Sequence, residues 1–135
     1  MGLFDRGLRG KDAVPSTESG IAGPQSPEEQ QLVESLGARG GDVPVRYALR
    51  FTGRVQGVGF RWTNRQLANG RHLTGWVRNM PDGAVTMEIQ GAPAAIIDLL
   101  AAVHASFARY GDGICLARAS QLPCIPGEGE FEVRY

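Results

Sequence analysis

Residues 73–91, LTGWVRNMPDGAVTMEIQG, decide how this chain folds. Val85, Met87 and Ile89 alternate with Thr86, Glu88 and Gln90, which is the period of a strand with one buried face. Asp82-Gly83 stands between that run and the apolar Trp76 and Val77. An Asp-Gly pair flanked in this way is a strong hairpin signal, because glycine accepts the positive φ of a tight turn. The stretch predicts strand, turn, strand.

Working outward, Val45, Tyr47, Leu49 and Phe51 alternate with Arg46, Ala48, Arg50 and Thr52, predicting a half-buried strand upstream. Between it and the hairpin, Arg61 to about Asn69 reads as a helix with Leu67 and Ala68 facing inward. Downstream, Ala94 to Tyr110 reads as a second helix, with Pro93 near its start and Gly111 past its end. Ile96, Leu100, Val103 and Phe107 recur at helical steps on one face of it. A weaker strand signal covers Ile114 to Ser120, a Pro/Gly-rich loop follows, and Phe131, Val133 and Tyr135 alternate at the end. The order strand, helix, strand, strand, helix, strand predicts an α+β, ferredoxin-like βαββαβ sandwich. Its sheet is expected to be antiparallel and four- to five-stranded, with two helices on one face.

Residues 1 to 44 differ in kind. They hold eight glycines and four prolines with few large apolar side chains, a composition that cannot offset its ordering entropy by burial. This segment reads as a largely disordered tail in front of a domain at 45–135. Within it, Ser26 suits a helix N-cap, Pro27 the first turn, Glu29 the capping-box position and Gly37 a stop, giving a short helix near 27–36. Leu32, Val33 and Leu36 form only a narrow stripe on that helix. So short a helix is marginal in water and is expected to be transient unless it docks.

Basic and acidic residues balance over the whole chain. Residues 45–135 carry ten basic and seven acidic side chains, and 1–44 carry four and seven. No concentrated basic stripe is legible in the sequence, which argues against nucleic acid and suits a small anionic ligand. No apolar run approaches the roughly 18 residues that cross a bilayer, and the N-terminal residues lack a secretory pattern. A cytoplasmic protein without membrane attachment is expected. Cys115 and Cys124 lack CxxC spacing, and only His72 and His104 are available as further soft ligands. They read as reduced, partly buried thiols rather than a metal site, and His104 as a surface or internally satisfied side chain.

The chemistry concentrates at residues 53–62, GRVQGVGFRW. A loop between a strand and a helix start presents unpaired N–H groups and the positive end of the helix dipole, where anions collect. Gly53, Gly57 and Gly59 let successive amides converge into a nest. Arg61 can close over the bound group with a guanidinium that matches two phosphate oxygens. No Gly-Lys-Ser/Thr follows, so a Mg-nucleotide loop is not indicated. Taken alone, such a loop is more often a turn or a bulge than a phosphate site. VQGVGFRW also has a superficial likeness to an aromatic RNA-binding signature, but that signature belongs on a third strand with outward aromatics. Here the loop precedes the first helix, and AVTMEIQ carries no aromatic.

GRVQGVGFR, followed at the matching distance by GWVRNMPDGAVTMEIQG and then by FEVRY near the C-terminus, resembles the acylphosphatase family over about residues 46–135. The resemblance implies a small enzyme that hydrolyses the carboxyl-phosphate bond of acyl phosphates to carboxylate and inorganic phosphate. It implies neither metal nor other cofactor and a small acyl phosphate as substrate; a monomer that binds neither nucleic acid nor membrane is expected. Carried onto this chain, the family's phosphate-binding loop falls on Arg54, Val55, Gln56, Gly57, Val58, Gly59 and Phe60. Its catalytic arginine falls on Arg61 and its catalytic asparagine on Asn79, a residue that would otherwise read as a turn residue before the hairpin. Trp62 is assigned to packing.

The chain departs from the family pattern at Arg71 and His72 after the first helix, over residues 110–129, and in its N-terminal 44 residues. The competing expectation is a non-catalytic phosphate-binding module recruited through the tail. A related domain fronts carbamoyl-transferring hydrogenase-maturation proteins, which makes carbamoyl phosphate a further conceivable substrate.

Overall fold

The computed structural model describes residues 25–108 and 113–135. The chain runs α1 (Pro27–Arg39), β1 (Val45–Gly53), α2 (Phe60–Asn69), β2 (Thr74–Asn79), β3 (Val85–Gly91), α3 (Pro93–Phe107), β4 (Ile114–Leu122) and β5 (Glu132–Arg134). The strands form one sheet in the order β4-β1-β3-β2-β5. The first four pair antiparallel, as expected, but β5 joins β2 in parallel, with Val77 opposite Val133. A strand that returns from the far edge over a long connection is not bound to run antiparallel to its neighbour, so the sheet is mixed.

The hairpin forms as its sequence dictates. Gly83 has φ +94°, Met80 N–H donates to Ala84 O at 2.8 Å, Gly83 N–H donates to Met80 O at 3.1 Å, and Asp82 Oδ1 accepts from Ala84 N–H. Leu49 and Phe51 from β1, Val77 from β2, and Val85, Met87 and Ile89 from β3 share one face of the sheet and are buried. Helices α2 and α3 cover them, with Ile96, Leu100, Val103 and Phe107 of α3 all inside the core.

A third helix lies beside α3. The short helix expected near 27–36 extends through Gly37 to Arg39 and packs against α3 and β4. Docking supplies what propensity could not. Leu32 and Leu36 are buried, and so is Glu29, both of whose carboxylate oxygens lie 2.9 Å from His104 Nε2. Ser26 Oγ accepts from Glu29 N–H at 3.0 Å and donates to Leu116 O at 2.5 Å, so the N-cap also ties the helix to β4. His104 is thus a buried, satisfied side chain. The part of the expected tail at residues 1–24 lies outside the described residues, as do Tyr110 and Gly111 at the expected end of the second helix. Cys115 and Cys124 are free and exposed rather than partly buried, because both lie at the outer edge of the sheet or past it. Among the described residues no helix is long and apolar enough to cross a membrane.

The face of the sheet opposite the helices is crossed by the loop from β4 to β5. Its anchor is Arg46, which the alternating pattern marks as an outward residue yet which is 1% exposed. Its guanidinium donates from Nε to Glu88 Oε1 (3.0 Å), from Nη1 to Gln90 Oε1 (3.1 Å) and from Nη1 and Nη2 to the two oxygens of Glu128 (2.8 and 3.1 Å). Gln90 completes the tie by donating to Ile125 O and accepting from Ile125 N–H. Past the crossing, the Asn69 amide at the end of α2 accepts from Phe131 N–H and donates to Phe131 O, and Phe131 is buried.

Burial alone would raise the Glu128 carboxyl, but the Arg46 fork and the Thr74 hydroxyl outweigh it and hold the group below its ordinary value. A carboxylate with a lowered native pKa stabilises the fold above the unfolded value, about 4.3, and that contribution is lost as pH falls through the native value. Glu128→Gln is therefore expected to cost about 1.5–3 kcal/mol at pH 7, the range for hydrogen bonds to charged groups. In urea titrations the gap between wild type and variant should close on acidification below the unfolded value. A gap that stayed constant down to acid pH would refute this role for the charge.

Candidate functional site

The loop between β1 and α2 leaves the sheet through a tight passage. A Cβ on Gly53 would stand 1.8 Å from Gly113 O, and the next amide, Arg54 N–H, donates to that oxygen at 2.6 Å. Val55 then turns into the core. The Gln56 side chain reaches across to the hairpin, where its Nε2 donates to Met80 O and Ala84 O, each at 2.9 Å. Phe60 anchors the other end of the loop, buried with ring centroids 5.3 Å from Phe51 and 5.4 Å from Phe107.

Between these anchors, Gly57 and Gly59 have φ +78° and +79°, with nothing within 4 Å of where a Cβ would stand. Their backbone conformation, not crowding, calls for glycine. Among the described residues the N–H groups from Gln56 to Trp62 meet no protein acceptor, and the first intrahelical bond is Thr63 N–H to Gly59 O. Gly59 caps α2 without a side chain. Seven consecutive donors at the positive end of the helix are left without a protein acceptor, and six of these seven residues line one small cavity.

Arg61 projects from the first turn of α2 beside that space. Its Nη1 donates to Arg134 O at 3.4 Å, and its guanidinium carbon lies 5.0 Å from the centre of the Tyr135 ring. Asn79, the last residue of β2, comes from the opposite side, and its Oδ1 is buried with no hydrogen-bond partner. A buried amide oxygen left unpaired costs about 1–3 kcal/mol, and this one belongs to a residue that lines the cavity. The resulting cavity, about 180 Å³, is lined by Val55, Gln56, Gly57, Gly59, Phe60, Arg61, Trp62 and Asn79.

Seven of the nine residues singled out in the sequence therefore line one cavity. Arg54 and Val58 do not: Arg54 is exposed, and Val58 packs against the core. Trp62, assigned to packing, forms part of the wall and is 52% exposed. Tyr135 continues the alternation of Phe131 and Val133 in sequence, but β5 ends at Arg134, so Tyr135 is not held inward. It is 85% exposed and lies under Arg61. The carbonyl of Arg134 carried no sequence signal at all, since every residue has one.

The family model described as Acylphosphatase matches residues 47–112. An acylphosphatase of Salinibacter ruber is 51% identical over 59 residues, spanning 44% of this chain and 62% of that relative. An acylphosphatase of Clostridium beijerinckii is 33% identical over 93 residues, spanning 67% of this chain and 99% of the relative. Among solved structures, acylphosphatase from Bacillus subtilis superposes with a TM-score of 0.54 at 30% identity, covering 67% of this chain and 99% of that one.

The left-handed cap gives a direct test of the loop geometry. Gly59→Ala is expected to lose about 1–2 kcal/mol of stability, the cost of placing a Cβ in the left-handed region, while Trp62→Ala on the open wall should stay within about 0.5 kcal/mol. Urea denaturation of both variants decides it. Equal stability of Gly59→Ala and wild type would be incompatible with this turn.

Proposed function

The chain belongs to the acylphosphatase family, hydrolases acting on acid anhydrides, and from that premise we propose that it cleaves the carboxyl-phosphate bond of small acyl phosphates at the cavity between the 54–60 loop and Asn79. What carries this reading is the meeting of three complementary features: unpaired backbone donors, a guanidinium, and an unpaired buried amide oxygen. Donors and guanidinium suit the equatorial oxygens of a phosphoryl group. The amide oxygen suits a water.

In the proposed reaction the phosphoryl oxygens lie among the amides of Gln56 to Phe60, with Arg61 moving from the Arg134 carbonyl to the substrate. The Asn79 Oδ1 accepts a hydrogen bond from a water and aims its oxygen at phosphorus. As the water oxygen bonds to phosphorus, the bond from phosphorus to the acyl oxygen breaks, and its electron pair leaves with the carboxylate. The water's second proton passes to the phosphate product or to solvent. Phosphoryl transfer asks mainly for positioning and charge stabilisation. A carboxylate is a stable leaving group, so the absence of an acid among the cavity residues is no obstacle. Gln56 contributes its backbone amide, because its side chain is already committed to the hairpin. Arg54 contributes charge from outside the cavity wall. The competing reading, recruitment through the N-terminal helix, draws little support from a helix whose Leu32 and Leu36 are already buried on its own domain.

Benzoyl phosphate hydrolysis in buffer with EDTA is the test. Wild type should turn over without added metal. Arg61→Ala should lose about 10³ to 10⁵ in rate, and Asn79→Ala at least about 10²-fold, the scale of a misplaced reactant, with both variants folded by circular dichroism. Phosphate release no faster than the uncatalysed background in wild type would sink the proposal. Restoration of turnover only by a divalent ion would overturn its metal-independent part.

A further inference from the structure

The open face of the sheet carries a feature that strand separation hides in the sequence. The register places Arg118 of β4 opposite Arg50 of β1, Arg50 opposite Thr86 of β3, Thr86 opposite Arg78 of β2, and Arg78 beside Arg134 of β5. One residue from each of five strands thus forms a straight row across the sheet, and four of the five are arginines. Four inter-strand spacings give the row a length of about 19 Å. In the neighbouring row, Trp76 has the Arg134 and Arg78 guanidinium carbons at 5.1 and 5.7 Å from its ring centre.

Directly opposed like charges destabilise a sheet, and this row contains two such pairs. Two carboxylates answer four guanidiniums: Asp82 bonds Arg50, and Glu132 bonds Arg134. Among the described residues Arg78 and Arg118 form no ion pair, and both are exposed. Thr86 Oγ1, at the centre of the row, is buried without a hydrogen-bond partner. The helices lie on the other face, and the β4–β5 loop is tied down at Arg46 and Gln90. Its residues Glu128 to Phe131 border the row at the Arg134 end.

We propose that this face binds single-stranded nucleic acid, with phosphates along the arginine row and a base stacked on Trp76. Unspecific single-strand binding combines a basic track with aromatic platforms on which bases lie, and guanidinium planes add stacking of their own. The row crosses the strands on the flat of the sheet, whereas peptides are taken up along an edge or in a groove. None of the row's side chains lines the Arg61 cavity, although the Arg134 backbone carbonyl accepts from Arg61.

The test uses the full chain and a fluorescein-labelled oligothymidylate of about twelve nucleotides without terminal phosphate, followed by anisotropy. Binding at low salt should weaken with a log–log slope of about −2 to −3, the value for three or four phosphates on a single strand. Arg118→Glu and Arg78→Glu should each weaken binding and flatten the slope by about 0.7 or more. Trp76→Leu should lose about tenfold with the slope kept. Arg118→Glu, at an exposed edge position where misfolding is not expected, should hydrolyse benzoyl phosphate as wild type does. No binding at about 20 mM salt overturns the proposal. So does displacement by inorganic phosphate beyond that caused by chloride at equal ionic strength, which would put the oligonucleotide in the Arg61 cavity. Equal affinity for polyglutamate or for anionic vesicles, indifferent to Trp76→Leu, would assign the face to an acidic protein or a lipid surface and overturn it as well.

Discussion

The candidate site rests on a buried arginine that takes no part in it. All the donors of Arg46 are turned on Glu88, Gln90 and Glu128, and a guanidinium is the one side chain whose rigid fork could satisfy three acceptors at once in so little space. Burial opposes its charge, and the two carboxylates more than offset that. The network fixes where the β4–β5 loop crosses the sheet. The crossing fixes β5 on β2, with Phe131 clamped by Asn69. The end of β5 in turn supplies the carbonyl and the ring that hold Arg61. Charge at one end of the sheet is linked to the candidate site at the other through a chain of backbone placements.

The proposed site gathers contributions of two physical kinds. The loop gives backbone donors, which cannot change protonation and need no reorganisation to meet an anion. The side chains give one permanent charge and one neutral acceptor, Arg61 and Asn79. A site assembled this way has no titrating group of its own between its two arms. Its readiness depends on geometry, and the geometry is held by three fixed points: Gly53 against Gly113, Gln56 on the hairpin, and Phe60 between Phe51 and Phe107.

Local rules made much of this legible in the sequence. The alternation at 45–51 and 85–89, Asp82-Gly83, and the helical spacing from Ile96 to Phe107 are signals that neighbouring residues send about one another, and the elements formed where they indicated. The glycine loop with Arg61 could be read as an anion nest for the same reason. Asn79 could not be read without the family resemblance, because nothing near it in sequence reveals that its amide meets a loop some twenty residues away. Period-two logic failed at Arg46, whose partner Glu128 lies far along the chain, and at Tyr135, where the strand had already ended. The helix Pro27–Arg39 failed in the other direction: its narrow stripe reads as marginal until His104 and the surface of α3 are present to receive Glu29, Leu32 and Leu36. The arginine row was illegible because its four arginines sit on four different strands.

The pairing of β5 with β2 has a consequence in time. Contacts between distant parts of a chain form late, since the intervening loop must lose its freedom before any contact compensates for it. Val133 meets Val77 from the far end of the sequence, across a loop that must first find Arg46. By that rule the hairpin and the helices stand before β5 arrives, and the hold on Arg61 is among the last things to be set. In that order of assembly the candidate site is completed last, after the core that carries it.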